Sequence, residues 1–430
     1  MIKRPFFALK KPSLKYEPYT ATQTAAVNIA VPKKITLFCK KPYNPYDSQK
    51  KILIKPGETV RTGQKLSVYE DRDAYVISTV TGTISAVSPH RDDQGQSYTS
   101  ISIEVSETEE TDDRFSNFFK DPSLDNAGDF LACAPGNPPI QSFFDPERSI
   151  HTIVVSAADS DLLVHTNQYV LKSDFDAVKA GIKILKTITG VENIIMAIPT
   201  DFMQGFGAIG AQVKAVGRTY PSSFPLMMMR DIFGQEVPVE KSCEDMGVCF
   251  FSAEAAASIG RAFNNGRLPV TKTITLIKKD GSHSLVSARI GTPIREILSA
   301  CDVSVSDGDR IIIGGPMTGS SVYSEDHPVQ PETDAIFVQD KADIPLVSDY
   351  PCINCGECVR ICPANIQVNM LVRFLEAGQF EQAADEYDLY SCIECGLCSF
   401  VCVSKMPVFQ YIRLAKIELA RIKTAEANNA

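Results

Sequence analysis

Hydrophobic and polar positions alternate along the first quarter of the chain in a pattern that predicts strands. Between about residues 35 and 105, short β-type runs are separated by glycine and proline turn signals, as in KKILIKPGETVRTGQKLSVYE and AYVISTVTGTISAVS. Runs of this kind, bounded by turn residues, are typical of short strands in an all-β module. The sequence therefore predicts a β module over residues 31–108, which follows an irregular arm over residues 1–30.

The middle of the chain alternates between strand and helix patterns. HTIVVSA and ENIIMAIP have the apolar composition of buried strands, whereas DFDAVKAGIKILKTITG has helical spacing and a glycine stop at Gly190. This alternation predicts a Rossmann-like α/β domain over residues 130–265. The strongly acidic stretch before it, residues 109–129, is interpreted as a solvated linker.

Two further regions follow the α/β domain. KTITLIKKDGSHSLVSARIGTPIREIL predicts a hairpin with Asp-Gly at its turn and then a helix, and strands return around IIIGGPMTG, so residues 266–340 form a separate region. Residues 345–423 contain closely spaced cysteines and helical segments. The tail FQYIRLAKIELARIKTAEA has the spacing of an amphipathic helix.

Composition and charge narrow the class of protein. The chain has 430 residues, a net charge of −9 and a pI of about 5.3, which argue against a general nucleic-acid binder. The apolar runs are shorter than the roughly 20 residues that a membrane-spanning helix needs, and the N-terminus lacks the apolar core of a signal peptide. The 13 cysteines are therefore expected in a reducing compartment, where they indicate metal binding rather than disulfides.

One internal repeat carries the chemistry of the C-terminal region. CINCGECVRICP and CIECGLCSFVCV align at every cysteine, and each has the spacing Cys-x-x-Cys-x-x-Cys-x-x-x-Cys. In this spacing three thiolates ligate one cubane cluster and the fourth reaches a second cluster. We therefore predict two [4Fe–4S] clusters with crossed ligation. The predicted ligands are Cys352, Cys355, Cys358 and Cys402 for cluster 1, and Cys392, Cys395, Cys398 and Cys362 for cluster 2.

Zinc and disulfides are the alternative uses of these cysteines. A structural zinc site needs only four ligands, usually two close pairs with a longer gap, so two identical runs of four favour iron–sulfur clusters. The glycines at equivalent positions, Gly356 and Gly396, would let each loop pass close to a cluster. The remaining cysteines lie outside any motif and are interpreted as small packing residues. They are Cys39, Cys133, Cys243, Cys249 and Cys301.

Other motifs in the chain are weaker evidence for a functional site. GFGAIG, with Gly205, Gly207 and Gly210, matches G-x-G-x-x-G, and Asp231 follows at about the distance of a dinucleotide fingerprint. Because the glycines do not directly follow the strand pattern, a plain glycine-rich turn is the favoured interpretation. The β module resembles biotinyl and lipoyl carriers, but its second hairpin tip, VYEDRDAYV, has no lysine to modify. The basic residues near the N-terminus are interpreted as a solvated arm, with contact to anionic lipid as the alternative.

The order of modules resembles the RnfC subunit of the Rnf complex, the ion-translocating ferredoxin:NAD oxidoreductase. The resemblance covers about residues 25–420 and rests on KPGETVRTGQKL, STVTGTISAV, GQEVP, SAEAAASIGRAFNNGRLPVTKTITL, ARIGTPIREIL, IIIGGPMTG and the cysteine pair with its FQYIRLAKIELA tail. It implies a multidomain α/β plus α+β protein. The implied modules are a barrel-sandwich (lipoyl-like) β module, the Rossmann-like domain, a soluble-ligand-binding β-grasp domain and a C-terminal α-helical ferredoxin.

The resemblance also implies a function and a location. Such a subunit lies peripherally on the cytoplasmic face of the inner membrane. It passes electrons between a soluble donor or acceptor, such as soluble ferredoxin, and the membrane flavin subunits. Its expected partners are other subunits of the complex, including a ferredoxin-like iron–sulfur subunit. Ion translocation would belong to those partners.

The chain departs from the family at one segment. Members that use NADH have a GGAGFPT-type glycine-rich segment, which contributes to FMN and NAD(H) binding, whereas this chain reads CAPGNPPIQSFFDPERSIHTIVVSAADSDLL. Without those glycines the backbone cannot closely approach a phosphate, which argues against FMN and NAD(H) as cofactors. Two alternatives stay open: a soluble cobalamin-reductase-like or other iron–sulfur flavoprotein reductase, and a non-catalytic docking subunit with structural clusters.

Overall fold

The computed structural model describes residues 12–19, 25–40, 51–70, 74–92, 95–119, 121–202, 209–348 and 350–429. Within these ranges the chain forms a β module, a parallel sheet with flanking helices, a second mixed sheet and a helical C-terminal region. Among the described helices, none is both long and apolar enough to cross a membrane.

The N-terminal module is built of short antiparallel strands, as the sequence predicts. The first strand of the chain, β1 (Val27–Asn28), belongs to another sheet. The strands of the module are β2 (Lys34–Lys40), β3 (Thr59–Val60), β4 (Lys65–Ser67), β5 (Tyr75–Ile77), β6 (Gly82–Arg91) and β7 (Ser97–Val105). One sheet has the order β2-β7-β6-β3, and β4 pairs with β5. Alternate residues of β2 and β7 point inward, so Ile35, Leu37, Ile101 and Ile103 are buried in one core.

The central domain contains a four-stranded parallel sheet with the order β10-β9-β8-β11. Its elements are α1 (Leu124–Leu131), β8 (Thr152–Ser156), α2 (Thr166–Ser173), α3 (Phe175–Thr189), β9 (Asn193–Pro199), β10 (Gln212–Val216), α4 (Pro225–Phe233), β11 (Val248–Ser252) and α5 (Ala253–Asn265). Strand β8 is buried along its whole length, since parallel sheets are covered on both faces. Helix α3 ends at Gly190 in the left-handed conformation, as predicted.

The segment predicted as an acidic linker packs against this domain instead. Phe115 is buried between Phe130 and Phe263, and helix α1 contributes Ala127 to the same core. The prediction was wrong because it rested on the charged residues, whose side chains face solvent. The aromatic residues between them supply the buried area.

A mixed sheet follows, with the order β1-β13-β12-β16-β14-β15. Its elements are β12 (Thr271–Ile277), β13 (His283–Arg289), α6 (Ile294–Ala300), β14 (Arg310–Ile313), β15 (Ser320–Val322) and β16 (Ala335–Gln339). The predicted hairpin is confirmed, because β12 and β13 pair in antiparallel register around Gly281, which has a φ of 78°. The predicted arm over residues 1–30 contributes β1, which pairs with β13, so its end belongs to this sheet.

A buried ion pair joins this sheet to the α/β domain. Lys272 on β12 donates to Glu254 on α5 at 2.5 Å and to Asp334 at 3.1 Å, and the side chains of Lys272 and Glu254 are 0% exposed. Burial by itself would lower the pKa of Lys272, but the two carboxylates outweigh burial and raise the pKa. The two carboxylates therefore favour the charged form of Lys272 inside the interface between the two domains.

The C-terminal region is helical and contains both cysteine motifs. Its helices are α7 (Glu357–Ile361), α8 (Val368–Glu376), α9 (Phe380–Glu386), α10 (Leu397–Val401) and α11 (Val408–Asn429). The amphipathic tail forms α11, as predicted. Leu371 and Leu375 of α8 pack with Ile412 and Leu419 of α11, so the helix after each motif helps to form one shared core.

Candidate metal centre

The two cysteine motifs have the same backbone conformation. In each, a glycine in the left-handed conformation precedes a five-residue helix, with φ of 73° at Gly356 before α7 and 71° at Gly396 before α10. The fourth cysteine ends the helix with extended backbone, at ψ 121° for Cys362 and 116° for Cys402. The internal repeat of the sequence is therefore also a structural repeat. In both copies the fourth thiol leaves the loop that carries the other three.

One cavity gathers cysteines from both motifs. Cys352, Cys355 and Cys358 of the first motif line it together with Cys402, the last cysteine of the second. The rest of its wall is mostly apolar, with Ile353, Val372, Met406 and Val408 beside the polar Asn369 and Ser404. These are the four thiols that the sequence assigns to cluster 1, although their ligation of iron stays a prediction.

The electrostatic neighbours of the thiols fall into the same two groups. Burial raises the pKa of Cys358 to about 12, and the next influences are the charges of Cys352, Cys355 and Cys402. Burial likewise raises the pKa of Cys395 to about 12, with Cys392 and Cys362 among its charged neighbours. Each triplet thus has the fourth cysteine of the other motif among its electrostatic neighbours.

The donor set fits an iron–sulfur cluster in its chemistry. Thiolates are soft ligands that select iron–sulfur clusters, zinc or copper(I), and the raised pKa values mean that binding must displace protons from the thiols. Among the residues that the structure describes, no three His, Cys, Asp or Glu side chains converge as the ligands of a single metal ion would.

The second motif lies against the rest of the protein. Tyr220 donates a hydrogen bond from its hydroxyl to the carbonyl of Cys395 at 2.7 Å, and Cys395 is buried. The turn of the GGPMTG segment lies against the same loop, because Met317 packs in one cluster with Cys395. Asp161 fixes this turn, since it accepts from the amide of Thr318 at 2.8 Å and from its hydroxyl at 2.7 Å. Sequence reasoning missed Asp161 and Tyr220. The signal for Asp161 was available, since it follows the buried strand β8 at the carboxyl edge of the sheet.

Exposed apolar residues flank the first motif in sequence. Ile353, which lines the cysteine cavity, is 51% exposed. The other exposed apolar residues near it in sequence are Leu346, Val347 and Tyr350, with Val403 after the second motif. The two triplets therefore differ in environment, although their backbones match.

Gly396 and Gly356 provide a matched test of the contact at the second motif. A Cβ on Gly396 would lie 2.5 Å from the carbonyl oxygen of Met317, whereas a Cβ on Gly356 would meet nothing within 4 Å. Both changes to alanine incur the cost of a left-handed backbone, roughly 1 kcal/mol. We expect Gly396→Ala to lower the unfolding temperature clearly more than Gly356→Ala, measured by thermal denaturation. Equal losses would mean that the Met317 contact contributes nothing.

The crevice at the carboxyl ends of the parallel strands is lined by the N-terminal arm. Tyr16 donates from its amide to the carbonyl of Arg218, and Tyr220 donates from its amide to the carbonyl of Leu14, both at 2.9 Å. Tyr16 lies in this crevice beside Asp159 and Asp201. Nucleotides bind at this edge in many parallel α/β sheets, and here a segment of the chain itself lies there.

The weaker candidates form no site in the described part of the chain. Gly205 and Gly207 of the GxGxxG match lie outside the described residues, and Asp231 pairs with the adjacent Arg230. The tip of the carrier-like hairpin and most of the basic arm also lie outside them. The cysteines outside the motifs are buried or half-buried and have raised pKa values, as expected for packing residues: Cys39, Cys133, Cys243, Cys249 and Cys301.

Comparison with known protein families gives matches in the N-terminal module and in the C-terminal region. The RnfC barrel sandwich hybrid domain matches residues 14–108, and a 4Fe-4S dicluster domain matches residues 351–407. The N-terminal module is therefore a barrel-sandwich domain and the C-terminal region a ferredoxin-like iron–sulfur domain, in a mixed α/β protein.

Curated relatives are named as a subunit, designated C, of an ion-translocating oxidoreductase complex. The one from Pseudomonas aeruginosa is 30% identical over 283 residues, 64% of this chain and 36% of that protein. The one from Pectobacterium atrosepticum is 25% identical over 427 residues, 94% of this chain and 60% of that protein. The chain thus spans less than two thirds of the length of these relatives. A crystal structure of NAD+-reducing NiFe-hydrogenase is similar with a TM-score of 0.45 and 11% identity, covering 70% of this chain and 64% of that chain.

Proposed function

Since this chain is a divergent relative of the RnfC subunits of ion-translocating oxidoreductase complexes, we propose that it is an electron-transfer subunit of such a complex. It would relay electrons between a soluble donor or acceptor and membrane flavin subunits. The observation that carries this proposal is the cavity in which Cys402 joins Cys352, Cys355 and Cys358. Crossed grouping of this kind is the arrangement that two neighbouring cubane clusters require.

The proposed ligands are those predicted from the sequence. Cys352, Cys355, Cys358 and Cys402 hold cluster 1. Cys392, Cys395, Cys398 and Cys362 hold cluster 2. A [4Fe–4S] cluster supplies reversible one-electron chemistry when it is bound. The closeness of the two sites is supported by Cys398, whose charged neighbours include Cys358 of the other triplet as well as Cys392 and Cys395.

The two proposed clusters would have different surroundings in the protein. Cluster 1 would lie beside the exposed apolar residues around Ile353, where another protein can approach. Cluster 2 would lie against the α/β domain, behind the hydrogen bond from Tyr220 to Cys395. We propose that a protein partner exchanges electrons at cluster 1. The proposed partners are the membrane subunits of an Rnf-type complex, including a ferredoxin-like iron–sulfur subunit, or soluble ferredoxin.

We further propose that the chain does not oxidise NADH itself and binds neither FMN nor NAD(H). Two features support this. The glycine-rich segment is replaced by CAPGNPPIQSFF. The arm residue Tyr16 lies in the crevice at the carboxyl ends of the parallel strands.

The finer architecture is part of the same proposal. The parallel sheet with its helices would be a Rossmann-like domain over residues 130–265. The mixed sheet with α6 would be a β-grasp domain over residues 266–340, and residues 345–423 the two-cluster ferredoxin domain. The proposed location is peripheral, at the cytoplasmic face of the membrane, with ion translocation left to the partner subunits.

The test is anaerobic reduction of the chain after reconstitution of its clusters. We expect NADH, with FMN present, to leave the cluster absorbance unchanged, because the nucleotide has no site. Reduced ferredoxin and dithionite should each bleach the absorbance, since they reach cluster 1 directly. The visible absorbance of the clusters reports the result.

The other outcomes separate the alternatives. Rapid bleaching by NADH in the presence of FMN would indicate a flavoprotein reductase. It would overturn the proposal that the chain does not oxidise NADH itself. Clusters that resist both ferredoxin and dithionite would indicate a docking subunit in which the clusters only stabilise the fold.

A further inference from the structure

The two repeats share a backbone but differ in charge. Lys416 on α11 donates from its ammonium group to the carbonyl of Cys392 at 2.7 Å and to the carboxylate of Glu394 at 2.9 Å. The Lys416 side chain is only 21% exposed, so its charge is partly shielded from solvent. It therefore places a positive charge directly beside the loop of the second motif.

The first repeat has no such cation at the equivalent position. Helices α8 and α11 each begin six residues after the fourth cysteine of their motif. Fourteen residues after that cysteine, the second repeat has Lys416 and the first has Glu376. Glu394 corresponds to Asn354, which accepts a hydrogen bond from the side-chain amide of Asn369 at 2.7 Å. An ion pair in one repeat thus replaces an uncharged amide pair in the other.

The charge of Lys416 lies beside a predicted ligand of the second triplet, because its ammonium group donates to the backbone carbonyl of Cys392 at 2.7 Å. The carboxylate of Glu394 lies beside the same ammonium group at 2.9 Å, so a negative charge accompanies the positive one. A cation that favours a thiolate also favours the more negative, reduced state of a thiolate-bound cluster. Charge and hydrogen bonding around the sulfurs are known means of setting cluster potentials.

We propose that Lys416 raises the reduction potential of cluster 2 and that Glu394 partly offsets this effect. The inference rests on the proposed function, because it assumes that Cys392, Cys395, Cys398 and Cys362 hold a cluster. The reaction concerned is the gain of one electron from an external reductant, with no bond formed or broken. Lys416 does not ligate the cluster; its charge acts on the cluster through the Cys392 loop. The two ends of the relay would then differ in potential although their ligands are identical in type.

The experiment is a redox titration of the full chain with both clusters reconstituted, monitored by electron paramagnetic resonance. Lys416→Gln should lower one of the two midpoint potentials and leave the other in place. Glu394→Gln should raise the same midpoint, and Lys416→Arg should keep it near its original value because the charge is retained. The opposite signs matter, because a merely structural tether between α11 and the loop would not give shifts of opposite direction.

Lys423→Gln is the matched control. Lys423 lies on the same helix and pairs with Glu240, but both side chains are largely exposed, so we expect neither midpoint to move. The titration repeated in a Cys402→Ala background, which should retain only cluster 2, identifies the cluster that shifts.

Each failure has its own signature. If the chain binds both clusters but Lys416→Gln and Glu394→Gln shift neither midpoint, or shift it in the same direction, the role of Lys416 is overturned and the relay stands. If iron analysis of the unaltered chain gives fewer than two clusters, the proposed ligand set fails first, and the role of Lys416 fails with it.

Discussion

Replacing Cys402 by alanine should remove the cluster held by the first cysteine motif, although Cys402 belongs to the second. The reason is the cavity that Cys402 shares with Cys352, Cys355 and Cys358. The chain should lose about half of its iron, because one of two four-iron clusters is lost. Its unfolding temperature should also fall, since the binding energy of a cluster contributes to folding.

Double substitutions distinguish crossed from uncrossed ligation. Cys355→Ala combined with Cys402→Ala should lose no more iron than either change alone, because both remove cluster 1. Cys395→Ala combined with Cys402→Ala should lose nearly all iron, because each change removes a different cluster. The opposite result would show that each motif holds its own cluster. Cys301→Ala, outside both motifs, is the control and should retain all iron.

Replacing Lys272 by methionine should destabilise the protein by about 3–5 kcal/mol, the usual cost of removing one partner from a buried ion pair. Glu254 would stay inside the interface with no cation beside it, and Asp334 would lose the same partner. Because Lys272 joins the mixed sheet to α5, the loss should affect both domains. Unfolding in denaturant, followed by circular dichroism, measures the change.

Two further variants test the cause of this loss. Lys272→Met combined with Glu254→Gln should recover part of the stability, because it removes the uncompensated charge and keeps an oxygen to accept from the amide of Thr273. Lys423→Met breaks an exposed pair and should change stability little. If Lys272→Met behaved like Lys423→Met, the buried pair would have no part in holding the domains together.

Much of the local structure follows from the sequence. The apolar runs HTIVVSA and ENIIMAIP predict the buried strands β8 and β9, and Gly190 marks the end of α3. The Asp-Gly turn predicts the β12–β13 hairpin. These signals act between residues a few positions apart, where backbone preferences and the period of burial dominate.

The acidic segment shows where such local reasoning fails. Its charge pattern predicts a solvated linker, but Phe115 is buried against Phe130 and Phe263. Phe263 lies on a helix more than a hundred residues later, so no local pattern contains this contact. The same holds for Lys272, whose charge would ordinarily place it on the surface.

For the candidate centre, the spacing of the eight cysteines by itself predicts iron–sulfur chemistry, two clusters and crossed ligation, because cubane ligation imposes that spacing on a short loop. Only the tertiary structure decided how the two triplets differ. Tyr220 and the GGPMTG turn cover Cys395, while the loop of Cys355 lies beside exposed apolar residues. Lys416 reaches Cys392 from 24 positions away along the chain. Two motifs of the same spacing acquire different surroundings because burial and charge depend on segments that are distant in sequence and meet only in the folded chain.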